Sequence, residues 1–221
     1  MDAMSDHVIE VRELTAGHGG VETVRGVSFT VARGTVYALL GGYRSGKTTL
    51  LETVAGCRRP MSGTVRVMGA DPYAPSERLP VGTVWREGGL FPGLTVAEVV
   101  DAWRRWTVNP LDRDEVLGLV GLDRRAGTRF ERLGPAGLRR LDLALALVGR
   151  AEVLLLDEPT AGLPATDAHA IRGLLRDLAG AGVTILLATR DLDEACAADR
   201  VGVLEEGRLT IGRASGSLRA A

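Results

Sequence analysis

The stretch Gly41-Gly42-Tyr43-Arg44-Ser45-Gly46-Lys47-Thr48 follows an apolar, β-prone run at residues 35–40 and precedes a helical pattern at 48–55 that stops at Gly56. It fits G-x-x-x-x-G-K-[ST], whose glycines let backbone amides converge on phosphate oxygens at a helix N-terminus. A loop placed between a buried strand and a helix in this way asks for an α/β sheet. Lys47 adds a flexible point charge, the Thr48 hydroxyl can ligate Mg²⁺, and Thr49 continues the contact surface into the helix. Of the 27 basic residues, 26 are arginine and Lys47 is the single lysine, so lysine stands only where a compact ammonium is needed. Tyr43 and Arg44 enlarge the loop; Arg44 either crowds the phosphates or adds a cation to them.

The second chemical feature is Val153-Leu154-Leu155-Leu156-Asp157-Glu158, an apolar strand ending in two adjacent acids. In a parallel sheet this sets both acids at the carboxyl edge, where ligands bind. Asp157 is suited to hold Mg²⁺, usually through water, and Glu158 to polarise a water attacking a terminal phosphate.

Around these features the chain alternates. Residues 8–14, 24–31, 63–68 and 81–84 read as strands. From about 88 to 150 the pattern is helical. Thr95-Val96-Ala97-Glu98 is a capping box opening a helix to about Trp106, Asp112 caps a helix through Val120, and 137–148 carries an apolar stripe. Strand 153–156, helix 165–178 and strand 183–188 then give the β-α-β order of a parallel sheet covered on both faces. Asp191 caps a short helix to about Ala197, and 201–204 with 208–211 close as a hairpin through Glu206-Gly207. The expected organisation is one domain, with 1–87 and 151–221 as core and about 88–150 as a helical subdomain.

With 45% apolar residues over 221 positions, the chain can bury a substantial core. Its net charge of −1 carries no mark of a nucleic-acid partner. No apolar run approaches the roughly 18 residues that cross a bilayer, and the acidic start Met1-Asp2-Ala3-Met4-Ser5-Asp6 lacks a secretory signal's basic region, so a cytoplasmic location is expected. Cys57 and Cys196 have neither metal-ligand nor disulfide spacing and are expected to be small apolar fillers.

The segment Leu156-Asp157-Glu158-Pro159-Thr160, following the loop at 41–48 with a helical insert between them, resembles an ABC-transporter ATPase, and the similarity covers nearly the whole chain. Within that family, Glu87-Gly88-Gly89-Leu90-Phe91-Pro92-Gly93-Leu94-Thr95-Val96 and the run 139–148 resemble the ABC-2 exporter branch, which includes drug-resistance pumps. The resemblance implies an α/β fold of the P-loop NTPase type with a parallel central sheet, an N-terminal antiparallel β subdomain and an inserted helical subdomain. It also implies ATP and Mg²⁺ as cofactors. Two such subunits, identical or different, would sandwich two ATP molecules, each between one chain's phosphate loop and the other's signature segment. The sandwich would drive a transmembrane permease, with the chain peripherally associated with the cytoplasmic membrane. In the family an aromatic residue ahead of the loop stacks on adenine; His18 holds that place and either stacks or sits as a solvated turn residue. Leu90, Phe91 and Leu94 are either a permease-docking groove or local core.

Four segments depart from the family pattern. Arg86 replaces the Q-loop glutamine, Pro164 the D-loop aspartate, and Arg190 the switch histidine. Leu133-Gly134-Pro135-Ala136-Gly137 replaces the signature Leu-Ser-Gly-Gly-Gln. The signature loses a hydroxyl and an amide while proline keeps a good helix start. Arg190 can neutralise phosphate charge but cannot bridge Glu158, water and phosphate as an imidazole does. The expectation is ATP binding with slow or absent hydrolysis. The alternative is a non-hydrolysing nucleotide-binding module that regulates a partner through ATP-dependent dimerisation. DNA-repair and chromosome-structure ABC proteins usually carry long insertions for which 221 residues leave no space, and a P-loop kinase fits poorly with the strand at 153–157 and the helical insert.

Overall fold

A computed structural model describes residues 7–74, 79–86 and 92–213. Leu90 and Phe91 fall in the first half of the stretch at 87–96, residues 87–91, which lies outside the described residues, whereas Leu94 packs partly buried against the core.

The chain begins with a long hairpin, β1 (His7–His18) and β2 (Val21–Ala32), which β4 (Ser62–Val67) joins on the far side of β1 as an antiparallel three-stranded sheet. Gly19 and Gly20, at φ 56 and 83, make the turn with the left-handed pair that suits twisted strands. Both strands run further than their apolar cores. The extra residues other than Ala16 are exposed or half-buried, and bulges at Val11/Leu14, Leu14/Ala16 and Ala16/Gly17 break the alternation that marks a strand in sequence.

The central sheet has the order β5-β6-β7-β3-β8-β9. Its members are β3 (Val36–Leu40), β5 (Val81–Val84), β6 (Val153–Asp157), β7 (Thr184–Thr189), β8 (Arg200–Glu205) and β9 (Arg208–Arg213). The sheet is parallel, as expected, up to the hairpin expected at its end. Five strands run parallel, but β9 returns antiparallel on β8 because the two-residue turn Glu206-Gly207, at φ 48 and 80, is too short for a crossover.

Alternation along the buried strands divides the core in two. Val36, Ala38, Leu154, Leu156, Ile185 and Leu187 face helices α2 (Val96–Trp106), α3 (Arg113–Leu119), α4 (Pro135–Leu147) and α5 (Ala165–Gly180). Tyr37, Leu39, Val153, Leu155, Leu186 and Ala188 face α1 (Lys47–Val54) and the antiparallel sheet. The central sheet is thus a middle layer buried on both faces, which explains its continuous apolar runs. Leu155 is fully buried at 0% exposure, so Leu155→Ala is expected to cost about 2–5 kcal/mol, read as a lowered midpoint in urea at constant slope.

Local signals place the helices. The Thr95 side chain accepts from the Glu98 amide at 3.3 Å while Glu98 accepts from the Thr95 amide at 2.8 Å, completing the capping box of α2. Thr95→Ala should cost about 1 kcal/mol and lower the melting temperature by roughly 2–4 °C in a calorimetric scan. Helix α4 starts at Pro135, two residues ahead of the apolar stripe, because proline at the first position is already set for a helix. Short 3₁₀ turns at Asp123–Arg125 and Phe130–Arg132 and the five-residue α6 (Leu192–Cys196) complete the described elements. The expectation for the cysteines is corrected: Cys57 is exposed in the turn after α1, where it fills nothing, and Cys196 is half-buried.

Candidate functional site

The carboxyl ends of β3, β6 and β7 come together because the register pairs Leu40 with Thr189 and Asp157 with Ala188. The Gly41 amide donates to the Thr189 carbonyl at 3.2 Å and the Glu158 amide to the Ala188 carbonyl at 2.8 Å, so the loop after β3 and the acids after β6 are fastened to the same strand.

The loop is tight where it carries glycine. A Cβ on Gly41 would stand 2.5 Å from both the Leu204 carbonyl oxygen and Ser45 Oγ, and Gly46, at φ 103, would meet the Thr23 carbonyl oxygen at 2.5 Å. Gly46 is the N-cap of α1 and offers no side-chain cap, so the first amides of that helix are left for another acceptor. Lys47 is 6% exposed and its ammonium folds back onto the loop, donating to the carbonyls of Gly41 at 2.7 Å and Gly42 at 2.8 Å and to Ser45 Oγ at 3.3 Å. Burial lowers the Lys47 ammonium from its usual range, while Glu158 and Asp157 pull it back up. Arg44, at φ 62, turns its guanidinium over the Tyr43 ring, 5.7 Å from the centroid, and both residues line the cleft around Lys47.

Thr48 Oγ1 donates to Asp157 Oδ2 at 2.9 Å. Neighbouring corners of a Mg²⁺ octahedron with bonds near 2.1 Å are about 3.0 Å apart, and a hydroxyl with a carboxylate is an oxygen-only donor set, so this pair fits Mg²⁺. Burial raises the Asp157 carboxyl above the usual carboxylate range, opposed by the Thr48 hydrogen bond and by the charges of Lys47 and Arg86. Glu158 is backbone-strained at φ 50 and accepts from Arg190 Nη2 at 2.7 Å on its Oε2.

A cleft of about 560 Å³ gathers Tyr43 through Thr49, Arg86, Asp157 and Glu158 around the Lys47 ammonium. It also includes Val21 and Thr23, which sequence reading missed; their signal was the hairpin's unread length. His18 is exposed at the end of β1, across the hairpin from Val21, and Val21 lines the cleft in its place. Gly134 and Pro135 are exposed at the start of α4 with Ala136 and Gly137 half-buried behind them and Leu133 buried; none of the five lines the cleft. Pro164 is the N-cap of α5. Beyond Arg190 lies a second depression of about 460 Å³, lined by Thr160, Leu163, Arg172 and Glu194 among others. Glu194 is 2% exposed, its Oε1 has no hydrogen-bond partner, and burial raises its carboxyl. It sits in the capped first turn of α6, where an acid reads in sequence as an ordinary helix start.

A glycine loop between a buried strand and a helix, with an acid at the end of another parallel strand of the same sheet bonded to its threonine, is the arrangement of P-loop NTPases. Residues 24–161 match the ABC transporter family, and the chain belongs to that family as an ATP-binding domain. It is 39% identical to the Fe(3+) ions import ATP-binding protein FbpC 2 of Rhodococcus jostii over 92% of this chain and 61% of that one. It is 37% identical to the Nod factor export ATP-binding protein I of Paraburkholderia xenovorans over 93% of this chain and 70% of that one. Among solved structures, cbiO1 from Clostridium perfringens, part of the ABC transporter complex cbiONQ, superposes with a TM-score of 0.86 at 29% identity, covering 95% of this chain and 90% of that one. The chain spans about three fifths of the length of several curated relatives it matches, the FbpC proteins included. Import names lead among these relatives, which counts against the export branch expected from residues 87–96 and 139–148.

Proposed function

We propose that the chain binds ATP at the loop 41–49 and works, by closing on a second ATP-binding subunit, as the nucleotide-driven partner of a transmembrane permease, with hydrolysis slow or absent. The observation that carries this reading is the 560 Å³ cleft in which the ammonium of Lys47, the first turn of α1 and the Thr48–Asp157 pair face one space. Thr48 and Asp157 would hold Mg²⁺, which supplies neutralising charge to the phosphates when bound. Lys47 is already desolvated and needs only to exchange carbonyl oxygens for phosphate oxygens, a stronger partner for an ammonium. Val21, Thr23 and Tyr43 line the same cleft and would be the contacts available to a base and ribose.

Among the described residues no helix is long and apolar enough to cross a membrane, consistent with a peripheral subunit that reaches the bilayer through a permease. The exposed start of α4, away from the chain's own cleft, supports its use toward a second subunit. Slow turnover is supported by Arg86 in the cleft, by Arg190 bonded to the Glu158 carboxylate, and by Pro135 at the signature position, where a backbone donor is missing. Isothermal titration with Mg-ATP, repeated on Lys47→Ala, tests the reading; absence of a Lys47-dependent heat at millimolar nucleotide would overturn it.

A further inference from the structure

The ion pair between Arg190 and Glu158 is, at 2.7 Å, the shortest among the described residues. It joins two neighbouring strands, since Glu158 leaves β6 and Arg190 leaves β7. The Glu158 side chain is 10% exposed and the Arg190 side chain 43%. The backbone of Glu158 is pinned by its amide on Ala188 and by its carbonyl, which accepts from the Ala161 amide at 3.1 Å, so the carboxylate cannot shift by sliding its own backbone. Lys47, the other cation close to it, spends its donors on the loop carbonyls and Ser45.

An arginine here has a specific chemical effect. A guanidinium only donates, so it occupies a carboxylate oxygen without being able to pass a proton on. A charge-assisted bond on Oε2 also makes the acid a poorer acceptor for water. We propose that Arg190 is a positioning residue that occupies the Glu158 carboxylate and so withholds it from the attacking water, so that low turnover comes from an added brake as well as from a missing imidazole. The proposal rests on the nucleotide reading above. In the step concerned, one water forms a bond to the terminal phosphorus of ATP, the bond to the bridging oxygen breaks, ADP and inorganic phosphate leave, and a water proton passes toward Glu158. The fraction of occupied sites in which Glu158 is free of the Arg190 guanidinium sets how many hold an acid able to orient water.

The test is single-turnover hydrolysis of radiolabelled ATP by the full chain, with affinity measured alongside by calorimetry. Arg190→Ala should hydrolyse faster than the unmodified protein by about fivefold, the weight of one partly exposed ion pair, without tighter ATP binding. Arg190→Lys, which restores a cation at the position, should return the rate toward that of the unmodified chain. The gain should disappear in Arg190→Ala/Glu158→Gln. If Arg190→Ala fails to fold by thermal melt, Arg190→Gln carries the same expectation. An unchanged or lower rate in folded, ATP-binding Arg190→Ala or Arg190→Gln overturns the brake. Failure of the unmodified chain to bind ATP overturns the nucleotide reading instead, so the two outcomes are separate.

Discussion

Lys47→Ala is expected to weaken ATP binding by about 10² to 10³, the range for removing one partner of a desolvated, hydrogen-bonded charge pair. The size follows from where the ammonium stands. At 6% exposure it has already given up water, and its partners are two carbonyls and a hydroxyl of the loop that wraps the phosphates. Alanine removes the charge and leaves those oxygens without their donor, so the loop loses its internal tie as well. Lys47→Arg should not rescue, because a planar fork cannot occupy the compact position between Gly41 and Ser45, where even a Cβ on Gly41 would come within 2.5 Å of Ser45 Oγ. Calorimetry reads the loss, and thermal melting of the variant separates it from unfolding.

The second large effect is a gain. Restoring glutamine at 86, histidine at 190 and Ser-Gly-Gly-Gln at 134–137 should raise steady-state ATP turnover by roughly 10² to 10⁴, the span over which single positioning and charge-stabilising groups act in enzymes. Arg190→His contributes twice, since it frees Glu158 from a 2.7 Å ion pair and supplies a group able to bridge water and phosphate. The signature half carries a structural cost. A Cβ at Gly137 would stand 3.0 Å from Leu133 Cβ, so glutamine there requires Leu133 to shift, and Pro135→Gly gives up a preorganised helix start. The two halves should therefore be made separately before they are combined. Unchanged turnover in a folded combined variant would show that the altered segments are not what limits hydrolysis.

Much of this molecule was readable before any coordinates. The buried strands, the loop and the caps are local devices: six-residue apolar runs, a glycine that must turn left-handed, and a threonine three residues ahead of a glutamate. Each is written in neighbouring residues. The long ends of β1 and β2 were missed because bulges destroy the period of two, and with them went Val21 and Thr23 as cleft residues. The hairpin register sets His18 opposite Val21, and it is Val21 that lines the cleft. The partners of Lys47 and Arg190 were out of reach for a different reason. Lys47 sits five residues from Gly42, yet sequence cannot say whether its ammonium points outward or back onto the loop, and Arg190 meets Glu158 across 32 positions only because β6 and β7 are neighbours.

The solitary lysine has a practical corollary. Reagents that acylate amines find one side-chain target among these 221 residues, and that target is shielded by the loop that embraces it. A single mass increment on the peptide holding position 47 would therefore report how often that embrace loosens, and the same increment would fade as the cleft fills, giving an occupancy gauge that needs no engineered label.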